Sequence, residues 1–323
     1  MNSMLRTMVL CVASAVPASA SMAQTYPTKP ISLIVPFSPG ASADSVARVL
    51  SRKLSEKLGK PVVVDNRPGA GGTTGLMTLS HAAPDGYTIA IGATGAIAVN
   101  RHLPDAAPLN PDKDLTPIAK IADIPLVFVA SQQSQLRTLQ DVAAQAKRSQ
   151  SGISYGTSGQ FTSQHLAGEL YASLAKISIT AVPYRGSSPA LTDVIAGQTP
   201  LAIVDLTSAN AFIKSGKVTA LAVAGSRRAK AAPDVPTVAE RGFPGYEANA
   251  WLGMFAPAGT PAALVAKLSG DLKEVLKDPQ VLAEMNNLAT EPSYLGPEEF
   301  SRYIKAESDK WAAVVRSIPK PKQ

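Results

Sequence analysis

The chain has 323 residues, with 31 Lys and Arg against 24 Asp and Glu, a formal net charge of +7 and one cysteine. Its paired basic residues (Arg52-Lys53, Lys147-Arg148, Arg227-Arg228, Lys320 and Lys322) are scattered rather than set in a stripe interleaved with aromatics, which argues against nucleic-acid binding. Aromatics make up only 5%, so the core must come mostly from Ala, Val, Leu and Ile, and a chain of this length buries enough surface to need no disulfide.

The first element reads as a secretory leader, residues 1–23. Arg6 is the only charge before the apolar run Met8 to Val16, and small residues follow at Ala18-Ser19-Ala20 and Ser21-Met22-Ala23. Cleavage after Ala23 is favoured, because Tyr26-Pro27-Thr28-Lys29-Pro30 leads directly into a strand. The apolar run is too short to span a bilayer, and no other uninterrupted one approaches the ~20 residues a membrane helix needs. Cys11 lies inside the leader and follows Leu10 rather than a small residue, which argues against a lipoprotein. A soluble periplasmic protein without thiols is expected.

Strands are predicted at Ile31–Phe37, Val62–Val64, Thr88–Ile91, Leu126–Ala130, Ile153–Tyr155, Ile179–Val182, Leu201–Val204, Val218–Ala224 and Gly253–Ala256. They are continuous apolar runs, as suits parallel strands covered on both faces. Helical stripes lie between them: Val46, Leu50, Leu54 and Leu58, stopped by Gly59 and Pro61; then Leu166, Leu170 and Leu174; then Leu264, Leu268, Leu272 and Leu276 behind a Thr260-Pro261 cap. The alternation predicts an α/β fold with mainly parallel sheets. The length suggests two lobes: 24–125 with 227–323, and 126–226. Two connections join them, through Ile121–Pro125 and Ser226–Pro236, with a cleft between.

Within this pattern the stretch Leu33 to Ala47 is the most informative. An apolar run ends in a Pro/Gly/Ser turn and a helix starts at once. The first amides of such a helix lack intrahelical partners, and that end carries a partial positive charge. It therefore holds a carboxylate or phosphate without any Lys or Arg.

The ordered series of short motifs resembles one family over nearly the whole mature length. Val35-Pro36-Phe37-x-Pro39-Gly40 is followed by Asn66-Arg67-Pro68-Gly69-Ala70-Gly71-Gly72 and Pro84-Asp85-Gly86-Tyr87-Thr88. Next come Tyr155-Gly156-Thr157-Ser158-Gly159, His165-Leu166-Ala167, Val182-Pro183-Tyr184-Arg185-Gly186 and Ala196-Gly197-Gln198. Leu221-Ala222-Val223, Asp234-Val235-Pro236-Thr237-Val238-Ala239-Glu240 and Ala256-Pro257-Ala258-Gly259-Thr260-Pro261 close the series. The chain is similar to the Bug-type extracytoplasmic solute receptors of tripartite tricarboxylate transporters. The resemblance implies a two-lobed periplasmic-binding-protein fold (type II-like) that closes on one small organic anion, such as a di- or tricarboxylate, an amino acid or an aromatic carboxylate. It further implies delivery of that anion to membrane transporter subunits, with no cofactor, no metal and no catalytic residues. A monomer is expected.

The resemblance places the first carboxylate loop at Phe37, Ser38, Gly40, Ala41 and Ser42, where Ala41 replaces the family's usual second glycine. Thr94-Gly95 would complete the cleft floor. The partner loop is Ser158, Gly159, Phe161, Thr162 and Ser163, with Phe161 either a cleft wall or a core-facing aromatic. Asp205 either accepts hydrogen bonds from a ligand donor or serves as a cap. Asp44 reads as a structural cap, His165 as a hydrogen-bonded structural histidine, and Arg185 as solvent-exposed rather than a second carboxylate clamp.

Two other readings compete with a transport receptor. A receptor of the same build can present its loaded lobes to a sensor kinase instead of a transporter. An exported hydrolase is the alternative of another class, but Gly156-Thr157-Ser158-Gly159-Gln160 is not Gly-x-Ser-x-Gly. His81 and His102 lack a plausible metal-binding partner. The Gly69 to Gly75 run follows Asn66-Arg67-Pro68 and lacks the acid ~20 residues on that a dinucleotide loop requires.

Overall fold

The computed structural model describes residues 26–103, 108–150 and 152–317, so the predicted leader lies outside the described residues. The first sheet begins with β1 (Ile31–Val35), α1 (Ser42–Leu58), β2 (Val62–Asn66), α2 (Thr73–Ser80) and β3 (Thr88–Ala93), followed by a π-helical turn at Gly95–Val99. Leu33, Ile34 and Val35 are buried because helices cover both faces of the strand. Leu33 pairs in parallel with Val64 on one side and with Ile89 on the other.

After a short α3 (Pro111–Asp114), β4 (Leu115–Ile124) runs into β5 (Leu126–Ser131) with only Pro125 between them, and β5 opens the second sheet. That sheet grows through α4 (Leu139–Arg148), β6 (Ile153–Thr157), α5 (Ser163–Ala175) and β7 (Ile179–Pro183). It continues with α6 (Ser187–Ile195), β8 (Leu201–Asp205), α7 (Leu206–Lys214) and β9 (Val218–Val223). The chain returns to the first sheet at β10 (Ala250–Pro257), then forms α8 (Ala262–Val275), α9 (Pro279–Asn287), β11 (Glu291–Leu295) and α10 (Pro297–Ser317).

The sheet orders are β11-β4-β10-β3-β1-β2 and β7-β6-β8-β5-β9. The expected parallel pairing holds within the βα units, β2-β1-β3 and β7-β6-β8. The strands at and beside the passage between sheets, β4, β5, β9, β10 and β11, pair antiparallel. Both sheets are therefore mixed. The two connections lie side by side: Ala224 N–H donates to Leu126 O at 2.8 Å, Ala248 N–H donates to Ala224 O at 2.8 Å, and Ala250 faces Ile124. Helix α10 packs on β4, on the π-helical turn and on α5, reaching both lobes. Among the described residues no helix is long and apolar enough to cross a membrane.

Helix α1 buries Val46, Leu50 and Leu54 as its spacing predicts, and Gly59 ends it in the left-handed region. Two helical readings shift. In α5 the buried face is Leu166, Ala167 and Tyr171, while Leu174 is 42% exposed. A strict four-residue step drifts around a helix of ~3.6 residues per turn, so its third leucine leaves the core. Before α8, Thr260 donates to Pro257 O instead of capping, and Pro261 takes the N-cap position. Strand β4 was hidden in the sequence by Lys120 and Asp123. Lys120 is buried, with its ammonium 2.7 Å from Asp123 Oδ1 and 4.3 Å from the Tyr303 ring centre, so the charge is paired rather than stranded.

Candidate functional site

The turn from β1 into α1 is folded by Asp44. Its carboxylate accepts from Gly40 N–H at 2.9 Å, from Arg48 Nε at 2.9 Å and from Asn66 Nδ2 at 2.9 Å, while Asn66 Nδ2 also reaches Phe37 O at 3.1 Å. Gly40 has φ +80, which a glycine adopts freely, and Ala41 is the extended N-cap. Ser38 and Gly40 are exposed, Ala41 half-buried and Ser42 buried. The Phe37 ring lies over Gly72, where a Cβ would come within 3.2 Å of the ring tip, so the glycine at φ +104 admits the aromatic.

Burial alone would raise the Asp44 pKa, but the hydrogen bonds from Arg48, Gly40 and Asn66, with the Arg48 charge, hold it below the usual carboxylate value. A lowered folded-state pKa means stability that is present above the unfolded value near 3.8 and lost as pH falls through the folded value. Wild type should therefore lose melting temperature on acidification below about pH 4 more steeply than Asp44→Asn. Parallel melting curves would remove Asp44 from this role.

The turn from β6 into α5 is closed by its own hydroxyls. Thr157 Oγ1 accepts from Gly159 N–H at 3.0 Å, Thr162 Oγ1 donates to Gly159 O at 2.8 Å, and Ser158 Oγ donates to Thr162 Oγ1 at 3.3 Å. Phe161 N–H donates to His165 Nδ1 at 2.9 Å, and the two rings meet edge-on at 5.5 Å. Ser158 and His165 thus satisfy different loop partners and not each other. Thr162 is the extended N-cap and makes no side-chain cap, which leaves the first α5 amides, from Ser163 on, unserved.

The two turns face each other. Ser42 Oγ donates to Asp205 Oδ2 at 2.6 Å across the lobes, and Gln164 Nε2 donates to Asp205 Oδ1. Asp205 N–H reaches Ser187 Oγ at 3.3 Å. A Cβ on Gly95 would come within 3.1 Å of Phe161 O, so the floor of one lobe touches the loop of the other. Thr94 is buried, and its hydroxyl accepts from Trp251 N–H at 3.0 Å. Arg185 is exposed. Burial pushes the Asp205 carboxyl above its ordinary value, and its bonds from Ser42 and Gln164 oppose this. The linkage sign is opposite to that of Asp44: Asp205's contribution to stability is largest at acid pH and lost as pH rises through its folded value.

Gln164 and Ser187 were missed by sequence reasoning. A neutral amide inside a helix and a serine behind a glycine carry no motif; only their burial beside Asp205 marks them. The capping pattern also points here. Helices α1, α2, α5, α6 and α7, which follow the parallel strands toward the cleft, have no side-chain cap. Helices α3, α4 and α9 are capped by Asn110, Thr138 and Asp278. Pro261 ahead of α8 has no cap to offer.

Two α/β lobes joined by adjacent connections, with helix starts converging from both sides, define a two-lobed solute-binding fold. The chain belongs to the tripartite tricarboxylate transporter family of receptors, whose family model matches residues 46–319. It is 35% identical to the protein BugT of Bordetella pertussis over 317 residues, covering 98% of this chain and 97% of that one. The structure of an R. palustris protein with adipate is 31% identical with TM-score 0.84, covering 90% of this chain and 97% of that one. MatC from Rhodopseudomonas palustris with bound malate is 32% identical with TM-score 0.81, covering 90% and 100%.

Proposed function

We propose that this protein captures a small organic carboxylate in the periplasm and delivers it to the membrane subunits of a tripartite tricarboxylate-type transporter. The observation that carries the reading is the convergence of the uncapped α1 and α5 starts from opposite lobes, with Ser42 of α1 and Gln164 of α5 both donating to Asp205 at the end of β8. Unpaired amides and two helix dipoles hold a carboxylate there, so the ligand itself completes the caps. Contacts to both lobes are realised together only when the lobes are closed, and differential affinity for that state drives closure. The lobes expected at 24–125 with 227–323, and at 126–226, move about the paired connections at Pro125 and Ala248–Ala250, and the stretch between residue 227 and Ala248 travels with the second lobe, where Tyr246 OH donates to Ala167 O at 2.8 Å and Val223 N–H donates to Pro236 O at 2.8 Å. Relatives solved with adipate and malate support a carboxylate as the guest.

The test is mass spectrometry of the molecule that co-purifies, followed by titration of the stripped protein. A true ligand at about one hundred times its Kd raises unfolding free energy by about 2.7 kcal/mol. A co-purified cation or sugar would overturn the reading. So would turnover of an ester or amide that is lost in Ser158→Ala.

Asp205 bears on selectivity. A ligand carboxylate beside the half-buried Asp205 carboxylate is repelled unless the ligand also brings a donor. Asp205→Ala should weaken malate about tenfold and succinate, which lacks the hydroxyl, by less than about threefold. Equal losses for both acids would discard the selectivity role.

A further inference from the structure

We propose that His165 is the positioning residue of the second loop. Its Nδ1 holds Phe161 in a left-handed backbone conformation, and that conformation sets the contact with Gly95 of the opposite lobe. The inference rests on the proposed role of this loop as one of the two ligand-gripping corners.

Phe161 has φ +58, a region that costs a residue with a Cβ about 1 kcal/mol or more. The structure shows what offsets the cost. The Phe161 amide donates to His165 Nδ1 at 2.9 Å, and its ring lies edge-on to the imidazole at 5.5 Å with 63° between planes. An accepting Nδ1 places the proton of the neutral ring on Nε2, which faces Glu169 Oε1 at 3.6 Å. Tyr155 OH donates to the same Glu169 oxygen at 3.1 Å and lies 3.0 Å from His165 O, so the partner of Nε2 is itself held. With the amide turned inward to His165, the Phe161 carbonyl oxygen lies against Gly95, 3.1 Å from where a Cβ on that glycine would stand. A histidine in the first turn of α5 therefore acts on the inter-lobe contact through Phe161 without lining that contact itself.

Two substitutions separate the ring nitrogens. His165→Asn keeps an acceptor at the δ position and loses the ε group; His165→Gln keeps an ε group and loses the δ acceptor. In the ¹⁵N-labelled mature protein, His165→Asn should leave exchange of the Phe161 amide within about threefold of wild type and the Gly95 amide resonance in place. His165→Gln should speed Phe161 exchange about tenfold or more and displace the Gly95 resonance, which lies on the other lobe. Adding Phe161→Gly to His165→Gln should return the Gly95 resonance, because glycine enters the left-handed region without help. Equal behaviour of the Asn and Gln variants at Phe161 overturns the proposal, as does an unmoved Gly95 resonance in His165→Gln. Should His165→Gln not fold, the wild-type imidazole decides: a protonated Nδ1 contradicts the proposal, and an unprotonated Nδ1 that accepts from Phe161 supports it. Failure of the functional reading would appear elsewhere, in the carboxylate titration of wild type.

Discussion

Ser163→Pro is expected to weaken carboxylate binding by about ten- to a hundredfold while leaving the unliganded melting temperature within about 3 °C of wild type. The substitution removes one backbone N–H, the first amide of α5, which has no intrahelical partner. Proline is tolerated at the first helical position because its fixed φ suits the helix. The residue before it must be extended, and Thr162 already is, at φ −74 and ψ 166. A charge-assisted hydrogen bond to a carboxylate contributes about 1.5–3 kcal/mol, which sets the expected loss. Ser163→Ala is the control: it removes the hydroxyl, keeps the amide and should bind within about threefold of wild type. Calorimetric titration of both variants decides. If alanine costs as much as proline, the hydroxyl and not the amide is the contact.

Gly95→Val is the second substitution with a large effect. The Cβ it adds would stand 3.1 Å from Phe161 O and 3.7 Å from Thr162 Cα, both on the opposite lobe. Gly95 does not have a positive φ, so the valine adopts the local backbone and the lobe carrying it folds normally. The added bulk obstructs only the closed state, at a cost of about 1–3 kcal/mol. Affinity should fall about tenfold or more, with the unliganded melting temperature almost unchanged and less compaction on ligand addition in small-angle scattering. Equal loss of stability in the unliganded protein would assign Gly95 to packing within its own lobe.

What the sequence disclosed and what it withheld have physical reasons. The strand expected at Ile31–Phe37 forms over Ile31–Val35 and was legible because burial on both faces leaves a continuous apolar run, and α1 was legible because Val46, Leu50 and Leu54 share one face. Strand β4 was not, because Lys120 and Asp123 break the run and are accommodated by each other and by Tyr303. The two loop-to-helix turns were visible locally, in Phe37 to Ser42 and Ser158 to Ser163. The bond that joins them was not, since Ser42 and Asp205 lie 163 residues apart and meet only through the second sheet. Gln164 was silent for the same reason. The hydrogen-bonded structural role expected for His165 is seen, through the Phe161 amide four residues back. Asp44 is structural too, but not as the expected cap: it makes no cap on α1 and instead holds Gly40, Arg48 and Asn66, the last of which comes from tertiary geometry.

The central claim is that backbone amides from both lobes converge on one carboxylate. A crystal structure of the protein with its co-purified acid measures this directly. Carboxylate oxygens are expected about 2.7–3.1 Å from amide nitrogens at the α1 and α5 starts in the same molecule. A carboxylate held by one lobe alone, or neutralised by an arginine or lysine side chain, would contradict it.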